Sequence, residues 1–117
     1  MMKQKTRNNK RLSRVRRIRA KISGTAIKPR VRVFRSLKSF YTQVIDDVNG
    51  KTIVQASLKD VKNAKNDLEG VKKLGELLVE KCLKNDIKEI VFDRAGYKYH
   101  GKVKVFADTL RSGGLKF

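Results

Sequence analysis

The apolar residues of this chain change their spacing along its length, and each change marks an element. Between Asn8 and Lys21, Leu12, Val15 and Ile18, continued by Ile22, recur every three or four positions among basic neighbours, which predicts a helix with a thin apolar stripe. Like charges such as Lys10 and Arg14 stand one turn apart on it, at a cost of about a few tenths of a kcal/mol per pair. The helix is therefore expected to form or be stabilised on a polyanion, with Ser23, Gly24 and Thr25 as a flexible break behind it.

From Pro29 the period drops to two. Val31 and Val33 alternate with Arg30 and Arg32, and the runs Phe40 to Asp46 and Lys51 to Leu58 are rich in Val, Ile, Thr and aromatics. With a turn over Ser36 to Ser39 and a tight hairpin at Asn49-Gly50, they predict a three-stranded antiparallel meander. Parity turns Val31, Val33, Val44, Val54 and Ala56 inward and leaves Arg30, Arg32, Tyr41, Gln43 and Gln55 on the opposite face, although the second strand does not divide cleanly. A helical stripe of Leu68, Val71, Leu74, Leu78 and Cys82 follows between Asp67 and Lys84, with Gly75 beside it to allow close approach to the sheet. Ile87 and the continuous run Ile90-Val91-Phe92 predict a short strand in a central or parallel position. A last helix from Lys102 turns Val103, Phe106, Ala107 and Leu110 inward and ends at Gly113-Gly114.

The predicted architecture is α/β, one domain in the order α-β-β-β-α-β-α, its basic helical segment being an extension over residues 1–27 and its body residues 28–117. At 117 residues the chain has the length of a single domain with a modest core. It lacks an apolar run of membrane-spanning length and the apolar stretch of a signal peptide, so it is expected to stay where it is made. Cys82 is the only cysteine, which excludes an internal disulfide; on the apolar helix face it reads as a buried structural thiol.

Charge turns this scaffold toward a partner. The first thirty-five residues contain fourteen Lys or Arg and no Asp or Glu; the other eighty-two hold sixteen basic residues and all eleven acidic ones. Such an acid-free segment repels itself, and a polyanion is what would order it. The face carrying Arg, Gln and Tyr on the meander suits the same kind of ligand.

The densest group of chemically capable residues is Asp93-Arg94-Ala95-Gly96-Tyr97-Lys98-Tyr99-His100-Gly101, between the last strand and the last helix. Asp93 orienting His100 as a general base would be one use, but the chain offers no second His, no nucleophile motif, no phosphate loop and no carboxylate cluster for Mg²⁺. A second reading packs Tyr97 and Tyr99 onto the body while Asp93 pairs with Arg94 or caps the next turn. A third stacks aromatic rings and guanidinium on unpaired bases, with Lys98 and Lys102 on phosphates.

Three runs carry a likeness to a known family: Pro29 to Ser36 (PRVRVFRS), Tyr41 to Asp47 (YTQVIDD) and Val91 to Val103 (VFDRAGYKYHGKV), together with the ending Gly113 to Phe117 (GGLKF). In these motifs and their order the chain resembles the bacterial large-subunit ribosomal protein eighteen family, which binds 5S ribosomal RNA. The resemblance implies an α/β body with a mixed sheet, no enzymatic activity and no cofactor or metal. It also implies a structural role in the large ribosomal subunit, in the cytoplasm: binding 5S rRNA and helping attach it to 23S rRNA in the central protuberance, beside neighbouring large-subunit proteins. The RNA contacts it implies fall on Lys3, Lys5, Arg7, Lys10, Arg11, Arg14, Arg16, Arg17, Arg19 and Lys21. On the first strand and beyond they fall on Arg30, Arg32, Arg35, Lys38, Tyr41 and Gln43, and in the signature loop on Arg94, Tyr97, Tyr99, His100 and Lys102. Two positions depart from the family pattern. Ala95 stands where a second Gly is usual and would be strained at positive φ, and Asn85-Asp86 replaces a helix-ending Gly, with Asn tolerating the left-handed conformation.

Overall fold

The computed structural model describes residues 7–21, 23–36 and 39–117, and for 7–9 and 18–21 the backbone alone. Its elements are α1 (Arg7–Lys21), β1 (Arg30–Arg35), β2 (Phe40–Asp46), β3 (Lys51–Ser57), a 3₁₀ turn at Leu58–Asp60, α2 (Leu68–Lys84), β4 (Val91–Asp93) and α3 (Lys102–Ser112). The order is the one expected from periodicity. The strands form one mixed sheet, β3-β2-β1-β4, with β4 parallel to β1 and the other pairs antiparallel. β4 is thus parallel, as its apolar run suggested, but it lies at the sheet edge rather than in the centre.

One sheet face builds the core. Val31, Val33, Val44, Val54 and Ala56 are buried there, as parity required, and meet Val71, Leu74, Leu78 and Cys82 of α2 and Val103, Phe106, Ala107 and Leu110 of α3. The second strand divides as Phe40, Thr42, Val44 and Asp46 inward. Its two polar members are tolerated because each is bonded: the Thr42 hydroxyl donates to the Arg32 carbonyl at 3.0 Å, and the Asp46 carboxylate accepts from the amides of Val48 and Asn49 and from Asn49 Nδ2. Asp46 thereby fixes the four-residue turn into β3. Phe106 is the aromatic centre, 5.4 Å from Phe40 and 6.4 Å from Phe92.

Three local expectations give way. Leu68 is exposed, because α2 begins there, capped by the Asp67 carboxylate on the Gly70 amide, before its stripe reaches the sheet. Gly75 serves α3 rather than the sheet, since a Cβ there would stand 2.8 Å from Thr109 Cγ2. At the end of α2 it is Asp86, not Asn85, that takes the left-handed conformation, with φ of 58°, while the Ile87 amide closes back on the Cys82 carbonyl. The C-terminal residues extend the fold: beside β4 the Ile90 amide donates to the Lys116 carbonyl and the Lys116 amide to the Lys88 carbonyl, at 3.0 Å each, and Phe117 stacks on Phe92 at 5.6 Å.

Cys82 is fully buried, and burial pushes its thiol up to about 11 from 9.0. A raised thiol pKa means the fold favours the neutral form. Its contribution is complete below pH 9.0 and lost as pH rises through about 11. In urea denaturation, the wild type should lose up to roughly 3 kcal/mol more stability than Cys82→Ala between pH 8 and pH 11, each corrected for its own value at pH 8. Parallel pH curves for the two proteins would contradict this burial effect.

Candidate nucleic-acid interface

The opposite sheet face is where polar chemistry gathers. Opposed residues Arg32 and Gln43, Gln43 and Gln55, and Phe34 and Tyr41 share it by register. Phe34 and Tyr41 stack with centroids 4.5 Å apart and planes within 3°, and the Arg32 guanidinium lies 4.8 Å from the Phe34 centroid. The Arg32 Nε is buried and has no hydrogen-bond partner among the described residues. Phe34 was not among the residues singled out from sequence, yet the parity that exposed Arg30 and Arg32 already placed it on this face.

Arg30 has another destination. Only 4% of it is exposed, and its guanidinium holds Asp47 bidentately, Nε to Oδ2 and Nη2 to Oδ1 at 3.0 Å each, while Nη1 reaches Asp93 Oδ2 at 2.6 Å. Each carboxylate takes a backbone donor as well: the Gly24 amide to Asp47 Oδ2 at 2.7 Å and the Ala95 amide to Asp93 Oδ1 at 2.8 Å. Burial alone would pull the Arg30 pKa down, but the hydrogen bonds and charges of Asp47 and Asp93 outweigh it and hold the group above its ordinary value. Arg30 is an internal clamp, and as such is withdrawn from the set of RNA-facing arginines. Asp93 caps the following turn, one of the two alternatives expected, and pairs with Arg30 rather than Arg94. With both oxygens engaged, it does not form a dyad with the exposed His100.

The clamp reaches the basic segment from two sides. Ser23 to Thr25 is not a flexible break, for the Asp47 amide donates to the Gly24 carbonyl at 3.0 Å and the Thr25 amide to the Lys28 carbonyl at 3.0 Å. On the other side, Asp93 shapes the loop on which α1 sits. Arg11 Nη1 donates to the Ala95 carbonyl at 3.0 Å, Arg14 Nε to the Gly96 carbonyl at 2.7 Å, and the Arg11 guanidinium lies 4.9 Å from the Tyr97 centroid. Carbonyl oxygens thus supply the negative ends that the acid-free segment lacks. Gly96 is required twice: its φ is 78°, and a Cβ would stand 2.5 Å from the Arg11 carbonyl oxygen and 2.7 Å from Val15 Cγ2. Ala95 does take positive φ, 55°, the strained conformation its identity warned of. Leu12 of the expected stripe is exposed, so α1 is seated through Val15 and its arginines.

The predicted contact residues divide accordingly. Lys10, Arg16 and Arg17 are exposed on α1 and, with Ser13 and Arg14, line a shallow basic groove. Tyr97 packs the loop against β1, its hydroxyl donating to the Arg35 carbonyl at 3.0 Å, which leaves Arg35 at the junction between helix and sheet. Tyr99 lies apart and accepts from Arg111 at 3.1 Å, and Lys102 donates to Asn66 Oδ1 at 3.0 Å. Arg94 is half-buried and His100 exposed. Lys3, Lys5 and Lys38 lie outside the described residues, as do the side chains of Arg7, Arg19 and Lys21. Among the described residues no group of His, Cys, Asp and Glu could hold a metal ion, and no helix is long and apolar enough to cross a membrane.

A family model described as "Ribosomal L18 of archaea, bacteria, mitoch. and chloroplast" matches residues 5–117. The chain belongs to the ribosomal L18 family. Among curated relatives, the large ribosomal subunit protein uL18 of Staphylococcus haemolyticus is 51% identical over 114 residues, 95% of each chain. That of Bacillus cereus is 45% identical over 120 residues, the whole of both chains, and that of Dehalococcoides mccartyi 50% over 113 residues, 92% of this chain and 93% of its own. Membership in this family of ribosomal proteins makes the chain a structural component, not an enzyme.

Removing the clamp's cation would strand two carboxylates. Arg30→Ala should lower unfolding stability by about 3 to 5 kcal/mol in urea titration, whereas Arg32→Ala, on the open face, should cost about 1 kcal/mol or less. Equal losses for the two would show that Arg30 is not the clamp described.

Proposed function

We propose that this protein binds 5S rRNA and helps attach it to 23S rRNA in the central protuberance of the large subunit, in the cytoplasm, beside neighbouring large-subunit proteins. The observation that carries the reading is the seating of α1 on the signature loop. That contact joins the cationic groove of Lys10, Arg14, Arg16 and Arg17 through Tyr97 and Arg35 to the open sheet face of Arg32, Tyr41 and Gln43. Family membership supports the same assignment. Lys3, Lys5, Arg7, Arg19 and Lys21 of the same acid-free segment add further cations for phosphate.

The two regions do different work. Cations on α1 neutralise phosphates and release counterions, which gives affinity without base information. A-form RNA has a major groove too narrow for side chains, so choice of RNA falls to shape, the minor groove and unpaired bases, for which the ordered sheet face is suited.

With six to ten phosphate contacts, 5S rRNA affinity should fall by about three to five decades between 50 and 200 mM salt. Because the body's bonding begins at Gly24, the appropriate truncation starts at Ser23, and it should lose most of that affinity and salt dependence. A flat salt response, or unchanged binding on truncation, would remove α1 from the mechanism. In the sheet, Arg32→Ala and Tyr41→Ala should each weaken binding to 5S rRNA more than binding to random duplex RNA; equal losses on both RNAs would refute the division of labour.

A further inference from the structure

Beyond the outer face of Tyr41 the structure has a small polar cavity that the functions above leave unused. β2 lies between β1 and β3, and Tyr41 is opposed by Phe34 on one side and by Ser57 on the other. Phe34 covers the inner face of the Tyr41 ring at 4.5 Å. The cavity, about 250 Å³, is lined by Tyr41, Gln55, Ser57 and Asp60 with Thr42 and Ala56, so it opens on the β3 side of the ring. Tyr41 is 40% exposed there. The small side chain at Ser57, opposite Tyr41, leaves the space free.

The polar edge of this cavity is fixed in position. Asp60 Oδ2 accepts from the Ser57 amide at 2.9 Å and from the Ser57 hydroxyl at 3.3 Å, which holds the carboxylate at the exposed end of the 3₁₀ turn. Gln55 is exposed opposite, and its backbone carbonyl is held by Lys81 Nζ at 3.0 Å. A flat ring, backed by a second ring and a guanidinium, faces an anchored carboxylate acceptor across a slot.

We propose that this slot takes one unpaired guanine of the bound RNA, stacked on Tyr41 and read by Asp60. Stacking alone tolerates any base. Only guanine offers two adjacent donors, N1–H and the N2 amino group, on its Watson–Crick edge, and Asp60, with Oδ2 already accepting twice from Ser57, presents Oδ1 as the acceptor for both and offers no donor. Adenine and cytosine present a single exocyclic amino group beside an acceptor that Asp60 would repel. The inference rests on the RNA-binding reading and sharpens it, by assigning one base to one pocket.

Two measurements test it. In the complex of full-length protein with 5S rRNA, kethoxal, which attacks N1 and N2 of unpaired guanine, should find at least one guanine protected. Asp60→Asn should restore its reactivity while leaving the remaining footprint in place, and Tyr41→Leu should weaken the complex about tenfold. In the free protein, titration with GMP, AMP, CMP and UMP should shift the backbone amides of Tyr41, Gln55, Ser57 and Asp60 most with GMP, and Asp60→Asn should abolish that preference. Equal responses to the four nucleotides, or guanine protections that survive both substitutions, would overturn the proposal. A GMP-selective shift in a protein that fails to bind 5S rRNA would uphold the pocket and reject the 5S assignment.

Discussion

A single buried cation holds the functional parts of this protein in register. Arg30 sits at the start of the central strand pair, and its two carboxylate partners come from the β2–β3 turn and from the end of β4, seventeen and sixty-three residues away in sequence. Neither carboxylate stops at Arg30. Asp47 fixes the segment that leads out of α1, and Asp93 shapes the loop that receives α1. Desolvating three charges is costly, and the arrangement is sustained because bidentate geometry and two backbone N–H donors satisfy the oxygens. What the clamp supplies is placement: the basic helix is held at both its exit and its seat.

Placement matters because the two faces of the sheet have opposite duties. The inner face, closed by α2 and α3, contains the apolar core and gives the sheet its rigidity. That rigidity is what allows Arg32, Phe34 and Tyr41 to stand as an ordered stack on the outer face, since aromatic and guanidinium planes select geometry only if they do not have to be ordered on binding. The helix, by contrast, works mainly through charge, which tolerates imprecision. An acid-free segment can remain docked on a protein surface because its arginines find carbonyl oxygens, and the cations left facing outward are then gathered in one groove.

Much of this was legible in the sequence where a pattern is local. Element order, the inward valines, the last helix with Phe106 and the strain at Ala95 follow from period and from the steric demands of single residues. What escaped is long-range. No spacing announces that Arg30 would meet Asp47 and Asp93, so its alternation with Arg32 made the two look equivalent, although one is buried and the other lies on the open face. The same blindness turned Ser23-Gly24-Thr25 into a flexible break, because its partner lies in the turn after β2. Gly75 was recognised as a point of close approach, but which element approaches is settled only when α3 folds back across α2. Phe34 was readable by parity and went unused because apolar residues draw attention to the core.

The account depends most on the linker and the loop being tied to the clamp in the protein without RNA. Amide hydrogen exchange at Gly24 and Ala95, whose N–H groups bond to Asp47 and Asp93, measures this directly. Both amides should be protected in the RNA-free protein and should open with the same free energy as the buried residues of β1. Exchange at either site as fast as in an exposed loop, while β1 stays protected, would mean that the clamp does not hold the basic helix in place.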